Sequence, residues 1–132
     1  MLLPIHVVAF ETDFGCVVSN TRYLEYIERG RYALLHSLGL RITDIWDEHG
    51  VQPVVRRVEV DYLGFAHHEN ELLLRVGVVE HTRATTILEF ELKRQEDVLM
   101  RARQTLAYLN RAWKPTRVPP IYRDALKLSD SL

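Results

Sequence analysis

The stretch FETDFGCVVSNTRYLEYIERGRYALLHSLGL, residues 10–40, contains the features on which the fold depends. It begins with the acidic, turn-prone residues Glu11 to Asp13, which are followed by a loop at residues 14–19. Beyond the loop, apolar residues recur at helical spacing, and they predict an amphipathic helix over residues 21–38. The start of a helix offers backbone N–H groups that have no partner within it. Asp13, just ahead of such a start, therefore indicates a functional site.

Two residues depart from the simple helical pattern. Gly30, in mid-helix, costs about 1 kcal/mol relative to alanine, which predicts close packing against a sheet. Arg31 projects near the centre of the apolar arc, where a cation needs a partner, and Glu28 is one turn away. We favour an ion pair that ties the helix to the sheet or to another subunit. A direct catalytic role is the alternative.

The rest of the chain has mostly strand patterns. An apolar, β-branched run predicts a strand at Ile5 to Phe10, buried on both faces. Residues 42–52 are expected to form a polar connection that can include a short helical turn. Residues 98–113 fit a helix and a strand almost equally well, and the context of successive antiparallel strands favours a strand. A short helix or tail is expected at 121–132. Alternation of apolar and polar residues predicts three further strands, around residues 54–62, 72–78 and 86–92.

The order of these elements predicts one α+β domain spanning residues 1–132, with an antiparallel sheet wrapped against one long helix. A single layer of this kind buries the helix on one side only. We therefore expect a homo-oligomer, either a dimer or a tetramer.

Composition limits the classes of partner and location. The net charge of −1 gives no general attraction to nucleic acid or to an anionic membrane surface. The single cysteine excludes an internal disulfide framework and fits a reducing compartment. The start, MLLPIHVVAFETD, has no basic segment and too short an apolar run for a signal peptide or a membrane span. These features predict a cytoplasmic protein with neither nucleic acid nor membrane as a partner.

The helix motif resembles that of a known family. Tyr23 to Arg31 reads Y-L-x-Y-x-E-R-x-R, which is similar to the Y-L-x-Y-F-E-x-A-R of hotdog-fold thioesterases of the 4-hydroxybenzoyl-CoA thioesterase and YbgC-like group. The preceding E-T-D, glycine loop and V-V-S-N also match. Weaker matches follow at residues 62–66, 70–72, 83–85 and 119–120. The group commonly has His where this chain has Asn20, and Gly where it has Cys16, and Asn20 instead matches a second branch of hotdog thioesterases.

The resemblance implies a hotdog fold and an acyl-CoA thioesterase that needs no metal or redox cofactor. By analogy, Asp13 acts as nucleophile or general base, and the amide near Asn20, at the helix start with Val18 and Ser19, polarises the thioester carbonyl. Arg83, like Arg101 and Arg103, is a candidate for the phosphates of CoA, with a solvated strand face as the competing interpretation. The acyl pocket would lie between the helix and an adjoining subunit, and its expected lining is Tyr23, Tyr26, Ile27 and Phe65.

Competing interpretations follow from the same residues. Asp13 can simply cap a turn and Asn20 can be an N-cap. Cys16 has no histidine within the motif to activate it, and His67 and His68 lack the spacing of metal ligands. Two other functions remain open: hydrolysis of the same thioester on an acyl-carrier protein, and a hotdog module that binds acyl-CoA without turnover.

Overall fold

The computed structural model describes residues 1–13 and 15–129. A 3-10 turn at Ala9–Glu11 follows the first strand. In chain order the strands and α-helices are β1 (Leu2–His6), α1 (Asn20–Ser37), α2 (Ile42–His49), β2 (Gln52–Tyr62), β3 (Glu71–His81), β4 (Thr85–Arg94), β5 (Asp97–Leu109), β6 (Pro115–Thr116) and α3 (Pro120–Ala125).

All the strand pairs of the sheet are antiparallel, and the main strands lie in the order β1-β3-β4-β5-β2, with β6 paired to β5. Short turns join β3 to β4 and β4 to β5, so these neighbours in sequence are also neighbours in the sheet. β1 and β2 are the two edge strands. The prediction of an α+β fold with an antiparallel sheet is confirmed. The preference for a strand at residues 98–113 is also confirmed, although the strand ends at Leu109 and a turn follows it.

The long helix packs closely on the sheet. Its buried face includes Tyr23, Ile27 and Leu34. A Cβ atom on Gly30 would lie 2.7 Å from Cδ2 of Leu74 and 3.3 Å from Cε1 of Phe90, both in the sheet. A side chain at this position would push the helix outward, which confirms the reason inferred for this glycine.

One flank of α1 is less covered than its apolar sequence predicts. Leu24 and Leu38 belong to the predicted apolar face, yet they are 37% and 42% exposed. The physical reason is that α1 packs mainly over β1 and β3, at one side of the sheet. The flank that points toward β2 is therefore only partly covered by residues 1–13 and 15–129.

Arg31 has the partner that its position requires. It forms an ion pair with Glu28, and its Nη1 donates a hydrogen bond of 3.1 Å to Oε1 of Gln104 on β5. Nε2 of Gln104 in turn donates to Oε1 of Glu28 over 3.4 Å. These three residues form the Glu28–Arg31–Gln104 triad. The predicted ion pair of Arg31 with Glu28 is confirmed, and its hydrogen bonds to Gln104 tie the helix to the sheet.

Several predicted elements differ from the structure. The first strand was predicted at Ile5 to Phe10 with both faces buried, but β1 ends at His6, and as an edge strand it has one face against the core and the other exposed. The polar connection contains α2, a helix of eight residues that ends at Gly50 with φ 67°. Residues 130–132 of the expected terminal helix or tail lie outside the described residues. None of the described helices is long and apolar enough to cross a membrane.

A buried polar cluster holds α3 on the sheet. The hydroxyl groups of Thr86 and Tyr108 are 2.7 Å apart, and the His81 ring lies 2.9 Å from Thr86 Oγ1 and 2.6 Å from the carbonyl oxygen of Leu126. The rings of Tyr108 and Tyr122 are 5.2 Å apart, but the Tyr122 hydroxyl has no hydrogen-bond partner among the described residues. Burial raises the pKa of each of these two tyrosines to about 12.

We predict that Tyr122→Phe raises the free energy of unfolding by about 1 kcal/mol, because it removes a buried hydroxyl that has no partner. Wild-type stability should be unaffected by tyrosine ionisation below pH 10. It should fall as the pH rises from about 10 toward 12, since only the unfolded tyrosines lose their protons there. The fall should be smaller in the variant. Urea denaturation across this pH range measures both effects.

The matched control is Tyr32→Phe, because the Tyr32 side chain is exposed. It should change stability by less than about 0.5 kcal/mol and leave the alkaline fall as in the wild type. A loss of stability in Tyr122→Phe would show that its hydroxyl has a partner.

Candidate active site

Asp13 begins a tight loop that leads into α1. Its backbone N–H donates to the carbonyl oxygen of Val17 over 2.9 Å, and the Cys16 N–H donates back to the Asp13 carbonyl oxygen over 3.0 Å. Gly15 N–H donates to Oδ1 of the Asp13 carboxylate over 3.2 Å. The carboxylate is exposed, and this is its only hydrogen bond to a described residue. Its remaining lone pairs are available to water or to a substrate.

Residues 64–70, the site bend, pack against this loop. Val18 N–H donates to the Ala66 carbonyl oxygen over 2.8 Å, and His68 N–H donates to the Cys16 carbonyl oxygen over 3.0 Å. His67 forms an antiparallel bridge with Val17. The fold thus brings two histidines beside the loop, about fifty residues away in sequence. The motif contains no histidine, so its local spacing could not indicate this proximity.

The free amides at the start of α1 belong to Asn20 and Thr21. The N–H groups of Val18 and Ser19, which the sequence placed with Asn20 at the carbonyl site, already donate to Ala66 and Glu11. Neither Asn20 N–H nor Thr21 N–H has an acceptor among residues 1–13 and 15–129. These two groups lie where the helix dipole is positive and suit a developing oxyanion.

A cleft of about 140 Å³ adjoins the helix start. The Tyr62 hydroxyl crosses to α1 and donates to the Asn20 carbonyl oxygen over 3.3 Å. The hydroxyl of Tyr23, a buried residue, accepts from Ala66 N–H over 3.0 Å, which holds the site bend in place. Phe65, in contrast, is 67% exposed. The lining residues are Asn20, Tyr23, Tyr62, Leu63, Gly64 and Phe65.

Two predicted lining residues lie in the core instead. Tyr26 and Ile27 are almost fully buried, and neither borders the cleft. Burial and a hydrogen bond to Glu11 raise the pKa of Tyr26, whose hydroxyl donates to Oε1 of Glu11 over 3.0 Å. The family resemblance suggested a lining role, but both residues lie on the helix face that packs into the core.

The predicted arginines lie away from the cleft in the same chain. Arg83 is in the turn after β3, and β3 leads away from the site bend over eleven residues. That strand spans about 33 Å. Arg101 and Arg103 lie on the outer face of the sheet, where they pair with Glu91 at 3.3 Å and Glu89 at 3.7 Å. A single chain therefore does not combine these arginines with Asp13.

Comparison with known proteins places this chain in a family. The model of the thioesterase-like superfamily matches residues 7–126. The chain belongs to the thioesterase-like superfamily. The resemblance inferred from the helix motif is confirmed, and with it the prediction of a thioester hydrolase.

Individual relatives agree with this assignment. Acyl-CoA thioesterase YbgC of Haemophilus influenzae is 30% identical over 117 residues, which are 88% of this chain and 86% of that protein. A probable thioesterase from Bartonella henselae has a TM-score of 0.82 and 29% identity, over 90% of this chain and 98% of its own. A 1,4-dihydroxy-2-naphthoyl-CoA thioesterase from Synechocystis shares the fold, with a TM-score of 0.86 at 18% identity over 95% and 93% of the two chains.

The loop of this family member contains a strained residue. Cys16 has φ 59°, a left-handed conformation that costs a residue with a side chain about 1 kcal/mol relative to glycine. We predict that Cys16→Gly stabilises the protein by about that amount, which urea denaturation can measure. Val17→Gly, one residue later and not in the left-handed region, should destabilise it. Equal effects of the two substitutions would contradict the conformational explanation.

Proposed function

We propose that the chain is an acyl-CoA thioesterase of hotdog architecture, with α1 as its central helix. The observation that carries the proposal is the pair of free amides at Asn20 and Thr21, which begin the helix that follows the Asp13 loop. Asn20 also lines the cleft at this helix start. The names of the Haemophilus and Synechocystis relatives support a CoA thioester as the substrate.

The proposed reaction divides the work between the helix start and the carboxylate. The thioester carbonyl oxygen accepts hydrogen bonds from the amides of Asn20 and Thr21, which stabilise the negative charge of the tetrahedral intermediate. Asp13 removes a proton from an attacking water, the carbon–sulfur bond breaks, and the thiolate takes up a proton. Alternatively, Asp13 attacks the carbonyl carbon itself, the carbon–sulfur bond breaks and the CoA thiolate leaves and takes up a proton, and water then hydrolyses the mixed anhydride. Both routes yield the free acid and CoA.

We predict that Asp13→Asn lowers kcat by about 10²- to 10⁴-fold, because asparagine is neither a base nor a nucleophile. The asparagine side-chain oxygen can still accept from Gly15 N–H, so the loop should keep its shape and KM should change little. Steady-state release of free thiol from acyl-CoA substrates measures both constants. The control is Glu25→Gln on the exposed face of α1, which should retain wild-type rates. An Asp13→Asn rate within a few-fold of the wild type would exclude this role for Asp13.

A panel of thioester substrates tests the two rival functions, which are hydrolysis on an acyl-carrier protein and binding of acyl-CoA without turnover. Acyl-CoA and acyl-carrier-protein thioesters of equal chain length should be compared. A strong preference for the carrier-protein thioester would favour an acyl-carrier-protein thioesterase. Tight binding of acyl-CoA in calorimetry without hydrolysis would favour the non-catalytic module.

We also propose that two copies pair along β2. This edge strand has eleven residues, against five in β1. Its inward-facing Val58 and Tyr62 are 38% and 44% exposed, because α1 packs on this face mainly over β1 and β3, toward the opposite edge of the sheet. Antiparallel pairing with a second β2 would satisfy the free edge and cover these side chains. A phosphate-binding arginine could then come from the partner.

Light scattering coupled to size exclusion tests this pairing. Val58→Lys should yield monomers, because it places a charge on the proposed interface. Leu2→Lys, at the opposite edge of the sheet, should keep the assembly of the wild type. Dissociation by both variants or by neither would contradict pairing along β2.

A further inference from the structure

The flank of α1 that the described part of the chain leaves partly exposed begins at the proposed catalytic amides. Asn20, Leu24, Glu28 and Arg31 follow one another at spacings of four, four and three residues, so they form one stripe along the helix. Leu24 is apolar and exposed in the middle of this stripe. The stripe thus runs from a polar site, across an apolar section, to a charged group.

The inner face of β2 runs beside this stripe. At one end the Tyr62 hydroxyl is bonded to the carbonyl of Asn20. At the other end Val58 is the cross-strand partner of Gln104, which is bonded to Arg31 and Glu28. Eight residues of helix from Asn20 to Glu28 rise about 12 Å, and four residues of strand from Tyr62 to Val58 span about 13 Å. The two elements therefore run side by side over this length and form the two walls of an open groove.

The chemistry of the groove fits an acyl chain. Its sides contain Leu24, Val58 and the Tyr62 ring, which are all partly exposed apolar surfaces. One end is continuous with the cleft at the helix start. A thioester whose carbonyl lies at the amides of Asn20 and Thr21 can direct its acyl chain into this groove, and a partner paired along β2 would roof it.

The far end of the groove is closed by the Glu28–Arg31–Gln104 triad. Its side chains hydrogen-bond to one another, so they do not need a polar acyl terminus as a hydrogen-bond partner. Gln104 is 1% exposed, whereas the side chains of Arg31 and Glu28 still reach water. An apolar chain long enough to reach them would displace that water without replacing its hydrogen bonds, which is unfavourable for charged groups.

We propose that the Glu28–Arg31–Gln104 triad determines the chain-length specificity of the enzyme, by accepting unbranched apolar acyl chains that span about 12 Å and rejecting longer ones. This inference rests on the proposed thioesterase function. The triad acts as a polar stop at the end of an apolar groove and takes no part in the chemical step.

The test compares the wild type with Glu28→Leu/Arg31→Met/Gln104→Leu, which replaces the whole triad by apolar side chains of similar size and leaves no buried charge unpaired. Saturated acyl-CoA thioesters with four to sixteen carbons are the substrates. For the wild type, kcat/KM should rise with chain length and then fall. In the triple variant the fall should move to longer chains, so that the ratio of kcat/KM for long over short chains increases at least about tenfold.

Two further variants control for folding and for charge. Gln104→Leu alone keeps the ion pair of Glu28 and Arg31 and should shift the profile in the same direction by a smaller factor. Glu25→Leu/Arg29→Met makes similar replacements on the exposed face of α1 and should keep the wild-type profile. A uniform loss of activity at every length, or an unchanged ratio in both triad variants, would overturn the proposal.

Binding separates this inference from the proposed function. The dissociation constants of non-hydrolysable S-alkyl-CoA thioethers, measured by calorimetry, should show the same shift between wild type and triple variant. If the wild type hydrolyses no thioester but the binding profile shifts, the triad still sets chain length and the proposed activity is wrong. If hydrolysis occurs and neither profile shifts, the triad is only a structural ion pair.

Discussion

The geometry of the site depends on the hydrogen bonds of one buried acidic residue, Glu11. Its backbone carbonyl accepts the N–H of Ser19, and its buried carboxylate accepts from the Val8 N–H and from the Tyr26 hydroxyl. One residue thus joins the segment after β1, the residue before α1 and the second turn of α1. A buried carboxylate requires such partners, and their fixed positions determine the direction in which α1 starts. The free amides of Asn20 and Thr21 point where they do because Glu11 already holds Ser19.

The position of the helix follows from the same kind of constraint further along. Gly30 lets α1 approach Leu74 and Phe90 closely, and the helix packs mainly over β1 and β3. The uncovered flank and the uncovered inner face of β2 are consequences of that placement. A sheet wide enough for more than one helix, with only one long helix packed to one side, leaves apolar surface that a substrate or a second copy can use.

The sequence was sufficient for features that depend on local spacing. The helix, the role of Gly30 and the pairing of Arg31 with Glu28 follow from periodicity and from the need of a buried cation for a partner. It was insufficient for features that depend on contacts between residues distant in the sequence. Val18 loses its free amide to Ala66, and no local pattern contains that bond. Likewise, the separation of Arg83 from the cleft depends on the direction of β3, and the burial of Tyr26 could not be told from a lining role by helical spacing alone.

Arg94 holds the site bend partly through a backbone carbonyl, and this affects which side chains of the site can change in evolution. Nη1 of Arg94 donates to the backbone carbonyl of Phe65 over 2.9 Å and to the side-chain oxygen of Asn70 over 3.0 Å. The first of these contacts does not depend on which side chain residue 65 carries. The wall of the cleft can therefore exchange its side chain while its backbone stays in place, so a new acyl preference can evolve at this position without a new fold.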